Sequence, residues 1–477
     1  MSRQRVLTLA TLALLNAFTI AAGATTADLL GAHLAVLSAP RVATRPVVRA
    51  GTVLAPGGTS AALPTRAGLT AALSRLLSSP ALGPHVGAVV TDTASGRILF
   101  NRGGAVPLTP ASTTKLATSV AALTVLGPAA RFTTRVVKAS SPDGILLVGG
   151  GDPTLAVGYP PARDYPRPAT LAALAAATAR SLRAEHITSV RLGYDTSLYS
   201  GPGMAAGWRP SYVTEGDVTP VSALEVDQGR LTAYGAPEDA DDPGNLRPRS
   251  RDSAADAVYA FASFLAKRGI HVRGQPKPAR AAPTAAELAR VQSPPLAAII
   301  EWMLVESNND IAESVARHVA IATGRRATFA AGATAVRATL RRLGISGGIQ
   351  TADGSGLSHY DRIAPVTLAQ LISLAASPSH PRLRPIISGL AVAGFSGTLS
   401  TAEHRFTTKL SAPAAGLVRA KTGTLDNVRA LAGLVMDSSG RMLTFAFMID
   451  HVPAATMTLS ASILDSLAAA LTRCGCR

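Results

Sequence analysis

The stretch Pro110-Ala111-Ser112-Thr113-Thr114-Lys115-Leu116 puts a serine and a lysine three positions apart, at the mouth of an apolar helix that continues through Val120, Leu123 and Val125-Leu126. Residues three apart on a helix share a face, so Ser112 and Lys115 are expected to project together. A serine hydroxyl is a weak nucleophile until a neighbouring base takes its proton. A lysine amine becomes that base when burial or nearby positive charge depresses its pKa. The helix N-terminus adds N–H groups and positive potential where an oxyanion would form. A lone S-x-x-K is also the pattern of an ordinary solvated pair, and composition weighs against that. Only six of the 46 basic residues are lysines, and Lys115 alone of the six has a serine three positions upstream. Generic positive charge in this chain is arginine, which does not deprotonate in proteins and could not act as the base.

Two further motifs follow in fixed order. Ser307-Asn308-Asn309 fits S-x-N and interrupts an apolar helical pattern over 296–318. Lys421-Thr422-Gly423 fits K-T-G and ends a strand expected at 417–421, with further strands at 430–436 and 442–449. Each occurs once in the chain. Alone each is weak; their order and their placement on helix, broken helix and strand make the joint match specific.

S-x-x-K, S-x-N and K-T-G in this order resemble the signature of penicillin-recognising serine acyl-transferases. Ser112 and Ser307 stand 195 positions apart, too far for a compact β-lactamase and suited to an inserted domain. Gly149-Gly150-Gly151-Asp152-Pro153-Thr154-Leu155, Pro220 to Leu224, Asp353-Gly354-Ser355-Gly356-Leu357-Ser358 and Ser396-Gly397-Thr398-Leu399 narrow the resemblance. Over about 66–470 the chain is similar to class C low-molecular-mass penicillin-binding proteins, the D-alanyl-D-alanine carboxypeptidase/endopeptidase family.

The resemblance implies an α+β fold: a penicillin-binding-protein/β-lactamase-like transpeptidase domain, an antiparallel sheet flanked by helices plus a helical subdomain, with an inserted α/β domain. It implies Ser112 as acylated nucleophile and Lys115 as its base. Ser307 would relay the proton to the leaving amine, Asn309 would hold the substrate amide, and Lys421 would supply positive charge. Thr422, Gly423 and Thr424 would form the carboxylate-binding strand edge, with the N–H groups of Ser112 and Thr424 as oxyanion hole. Lys421 is expected to lower the pKa of Lys115 by repulsion. Peptidoglycan stem peptides are the implied substrates and β-lactams the covalent inhibitors, with no metal or cofactor called for. A β-lactamase and a catalytically silent wall-binding protein are the alternatives. No E-x-x-L-N or E-x-x-x-N segment offers a deacylating glutamate, and the intact motif residues speak against a silent protein.

The expected domains are 65–130 with 290–477 as the discontinuous catalytic domain and 131–289 as the insert, whose nested third domain is absent or reduced. Segments 221–226 and 230–234 are expected to pair as strands, and 238–251 to form a polar loop. Residues 1–24, with Arg3 and Arg5 before an apolar run and Ala21-Ala22-Gly23-Ala24, read as a signal peptide or N-terminal anchor, followed by a flexible lead-in over 25–64. The chain is thus expected to be extracytoplasmic, in the cell envelope or secreted. Its formal net charge of +17 would attract an anionic surface such as a cell-wall polymer or membrane, but the scattered arginines read rather as composition without a specific partner. The arginines are scattered, without a basic run interleaved with aromatics, so nucleic acid is not an expected partner. Cys474 and Cys476 are too close to close a useful loop and too few for a structural metal site.

Overall fold

In the computed structural model, which describes residues 61–159, 165–231 and 247–475, helix α1 (Arg66–Leu77) leads into the hairpin β1 (His85–Asp92) and β2 (Ile98–Arg102). Thr65 caps α1 by accepting the Gly68 N–H. A 3₁₀ turn, Ala111–Thr113, opens α2 (Thr114–Val125). The chain then builds β3 (Thr133–Lys138), β4 (Gly144–Val148), α3 (Leu171–Ala184), β5 (Ser189–Asp195), α4 (Ser253–Ala266), β6 (His271–Val272), β7 (Lys277–Pro278) and β8 (Glu287–Gln292). It returns through α5 (Leu296–Val305), α6 (Asn309–Ala322), α7 (Phe329–Arg342), the short ladder of β9 (Ile349–Gln350) with β10 (Arg362–Ile363), and α8 (Pro365–Ala376). It ends with β11 (Ala391–Val392), β12 (Val418–Leu425), β13 (Val428–Met436), β14 (Met442–Asp450) and α9 (Met457–Arg473). The expected segment 1–24, the lead-in up to residue 60, most of the polar loop and Cys476 lie outside the described residues.

The main sheet runs β11-β12-β13-β14-β1-β2 and is antiparallel throughout. Strand side chains alternate between faces, and β13 shows the consequence. Ala430, Ala432 and Leu434 join a core built with α2, α5, α6, α7 and α8. Leu431 and Val435 join a second core with α1 and α9 on the other face. Helix α9 lies within a stretch long and apolar enough to cross a membrane, but Ile463, Leu464, Leu467 and Leu471 pack it onto the sheet. Each such burial is worth about 1.5–3 kcal/mol. This is the α+β arrangement the sequence implied.

The second sheet, β6-β5-β4-β3-β8 with β7 against β5, is mixed: β4 and β5 are parallel across the α3 crossover, while β3 pairs antiparallel with β4 and β8. It has its own core with α3 and α4. Strand β8 was not foreseen, because Glu287-Leu288-Ala289-Arg290-Val291-Gln292 alternates too weakly to stand out. The expected pairing of 221–226 with 230–234 does not form over the described residues; Arg230 instead forms an isolated bridge to Arg249. The stretch from Asp217 spends its backbone groups elsewhere. The Thr219 N–H donates to Asp310 Oδ1, the Val221 N–H to the Gly203 carbonyl, and the Ala223 carbonyl accepts from Gly151.

Candidate active site

Ser112 sits in the 3₁₀ turn rather than on the α-helix itself. The preceding Ala111 has φ +47°, a conformation uncommon for a residue with a Cβ and kept only where surroundings hold it. Two glycines do so by letting distant backbone segments pack against the turn. A Cβ at Gly356 would overlap the Ala111 carbonyl, and one at Gly423 would lie 2.6 Å from the Pro110 oxygen. The glycine of K-T-G thus sets how closely β12 approaches the serine.

Lys115, in the first turn of α2, is fully buried. Its Nζ lies 2.6 Å from Asn309 Oδ1, 2.9 Å from the Ser355 carbonyl oxygen and 2.9 Å from Ser112 Oγ. A neutral amine has two N–H groups and one lone pair. The amide and carbonyl oxygens take the two donors, which leaves the lone pair for the Ser112 hydroxyl proton. Burial lowers the Lys115 pKa to about 7, against the raising pull of the Asp353, Glu313, Asp310 and Asp217 carboxylates. Of the two causes the sequence allowed, burial is the larger, and the nearby carboxylates oppose it. Repulsion between the two lysines registers on Lys421, whose pKa is well below its usual value through burial first and the charge of Lys115 second.

The second wall begins at Ser307, which has φ +58° and breaks α5 from α6. Asn308 restarts the helix by accepting the Ile311 N–H at 2.9 Å. Fully buried Lys421 donates to Ser307 Oγ at 2.8 Å and to the Thr422 carbonyl at 3.0 Å. Thr422 Oγ1 donates to Thr398 Oγ1 at 2.7 Å, and Thr424 Oγ1 accepts from Arg429 Nη1 at 2.6 Å. Ser112, Lys115 and Asn309 therefore form one hydrogen-bonded group and Ser307, Lys421 and Thr422 another. Gly423 lies against the nucleophile turn, and Thr424 is exposed on the same strand.

Sequence reasoning missed the layer beneath. Glu313 accepts the Gly354 N–H at 3.0 Å and the Ser355 N–H at 2.7 Å, so it fixes the loop whose carbonyl meets Lys115. Asp353 accepts from Gly356, Ser358 and Trp208 Nε1. Asp217 presents its carbonyl to Asn309 Nδ2 at 2.8 Å. Burial holds the Glu313 carboxyl above its usual range, with Asp353 adding to it. Glu313 was findable, because it lies four residues after Asn309 on one helix. Arg429 is the direct cross-strand partner of Thr424, visible only once the hairpin register is known. Asp217 carries no local signal.

The family model for "D-Ala-D-Ala carboxypeptidase 3 (S13) family" matches residues 69–246 and 230–471. The chain is 39% identical over 472 residues to carboxypeptidase DacB of Mycolicibacterium smegmatis, spanning 98% of this chain and 96% of that protein. It is 37% identical to a carboxypeptidase of Mycobacterium tuberculosis, over 94% of this chain and 92% of that one. Among solved structures, penicillin binding protein 4 of Haemophilus influenzae superposes with a TM-score of 0.66 at 23% identity, over 85% of this chain and 98% of that one. That last likeness is one of fold.

Proposed function

The chain belongs to the D-Ala-D-Ala carboxypeptidase 3 (S13) family, and from that premise we propose that it removes the terminal D-alanine of peptidoglycan stem peptides through an acyl-enzyme on Ser112. Lys115 Nζ takes the hydroxyl proton as Ser112 Oγ bonds to the carbonyl carbon of the penultimate residue. The N–H groups of Ser112 and Thr424 receive the oxyanion, each such donor being worth roughly 3–4 kcal/mol of barrier. As the C–N bond breaks, Ser307 passes its proton to the departing amine and receives the one held by Lys115, so that D-alanine leaves and Lys115 is again a free amine. Water then attacks the ester as Lys115 takes one of its protons, and Lys115 returns that proton to Ser112 Oγ as the C–O bond breaks and the shortened peptide leaves. Asn309 holds the substrate amide. Lys421, Thr422 and Thr424 bind the terminal carboxylate, whose charge favours the protonated form of Lys421.

The observation that carries this reading is the trio of contacts around Lys115, which leaves a buried amine of pKa about 7 with its lone pair on Ser112. A β-lactam presents a strained amide to the same serine and should leave a covalent adduct on it. Cross-linked peptides offer the same D-alanyl amide, so endopeptidase action is open to the same residues. Residues 131–289 act as an inserted domain that docks Asp217 and Thr219 on the S-x-N helix. The substrate places the working protein outside the cytoplasmic membrane, and its +17 charge suits cell-wall or membrane association.

Incubation with purified monomeric and cross-linked muropeptides, followed by mass analysis, tests the proposal. Loss of one D-alanine from a pentapeptide, abolished in Ser112→Ala, is the expected result. Cleavage of cross-links adds the second activity. Intact muropeptides beside rapid penicillin turnover would replace the reading with that of a β-lactamase.

A further inference from the structure

A second cluster of chemically capable side chains lies where β1 begins and β14 ends. His85 and Asp450 are directly paired across the two strands, and His451 follows at φ +58°. His85 Nδ1 lies 2.7 Å, and His451 Nδ1 2.9 Å, from one oxygen, Asp450 Oδ1. The two imidazoles meet edge to face with centroids 4.6 Å apart. One ligand atom from each of the three residues falls within 4.8 Å of the others, with both histidines exposed and the aspartate buried.

The arrangement is built rather than incidental to a surface. Asp450 Oδ2 accepts the Thr109 N–H at 3.2 Å, which fixes the carboxylate as outer bonds fix metal-ligating groups. The backbone beneath is close-packed, since a Cβ at Gly83 would stand 3.0 Å from the His451 carbonyl oxygen. A left-handed histidine persists only where its surroundings hold it. Here that conformation keeps the ring on the aspartate shared with His85.

We propose that His85, Asp450 and His451 form a binding site for a borderline divalent cation, zinc by preference, distinct from the acylation chemistry. Two imidazoles with one carboxylate suit zinc, whereas magnesium and calcium require mainly oxygen ligands. On binding, the Nδ1 lone pairs and Asp450 Oδ1 donate to the ion, any Nδ1 proton passes to solvent, and water completes the shell. To hold an ion, the exposed rings rotate so that the two Nδ1–Oδ1 hydrogen bonds open and all three atoms face it. Thr109 stands three residues before Ser112, so the ion ties the end of the sheet to the segment that carries the serine.

Calorimetric titration of the metal-stripped protein with zinc chloride, and separately with magnesium chloride, tests the proposal. One zinc ion per chain is expected, with affinity weakened at least tenfold in both His85→Ala and His451→Ala and no saturable uptake of magnesium. Both variants should retain penicillin labelling in metal-free buffer, which shows that they fold. Zinc binding that is absent from the wild-type protein, or unchanged in both variants, would overturn the site.

Discussion

Lys115 and Lys421 are both wholly buried and close enough to act on each other, yet their surroundings differ in sign. Around Lys115 the acting charges are the carboxylates of Asp353, Glu313, Asp310 and Asp217, which support an ammonium against burial. Around Lys421, Lys115 and Arg405 repel a proton, and Glu306 alone among the acting groups favours one. Burial alone would make the two amines alike. The fixed charges divide them: Lys115 is balanced near neutrality, and Lys421 gains a charge when a carboxylate arrives. One lysine is arranged to exchange a proton and the other to meet an anion.

The largest expected effect comes from removing proton exchange while keeping the charge. Lys115→Arg should slow acylation by a β-lactam roughly a thousandfold, within the range of general-base contributions, because arginine does not deprotonate. Rapid-quench labelling followed by intact-mass measurement reads this, and near-normal labelling would show that the two lysines do not divide the work. Lys421→Ala should lower kcat/KM roughly ten- to a hundredfold on a peptide ending in D-Ala-D-Ala, the scale of a hydrogen bond to a charged group. A substrate with its terminal carboxylate amidated should lose much less, and equal losses on both would remove the anion-binding role.

Smaller effects follow from titration. The free amine of Lys115 is the active form, so the acylation rate should rise as pH passes through about 7 and flatten above it. A rate independent of pH between 6 and 8 on the scale of ordinary protein titrations would contradict that sign. Glu313→Gln deletes a carboxylate that raises the Lys115 pKa. The rise should therefore move to lower pH by a fraction of a unit, together with a stability loss of about 1–2 kcal/mol from weakened acceptance of the Gly354 and Ser355 N–H groups. A shift to higher pH would mean that the carboxylate ring does not act on the base.

The part of the molecule written in local pattern was readable from the chain. Helix and strand periodicities placed α2, the break at Ser307 and the strand run β12 to β14, and the three motifs stood on those elements. Polar residues that act across the fold were not readable in this way. Asp217 reaches Asn309 through a segment whose apolar residues suggested a hairpin, and its backbone is instead committed to Asp310, Gly203 and Gly151. The 3₁₀ geometry at Ser112 was also hidden. It depends on Gly356 and Gly423 packing from distant loops, which no window around Pro110 contains. The carboxylates that oppose the Lys115 shift were hidden for the same reason: a motif shows which charges belong to a site, while their depth and neighbours belong to the packed fold.

The most direct test of the assignment of Ser112 as nucleophile with Lys115 as its base is peptide-level mass spectrometry after penicillin treatment of the wild-type, Ser112→Ala and Lys115→Arg proteins. After a brief exposure the expected result is one adduct, on the peptide carrying Ser112, full in the wild-type protein, absent from Ser112→Ala and formed only slowly in Lys115→Arg. An adduct on another residue, or one that survives in Ser112→Ala, would contradict it.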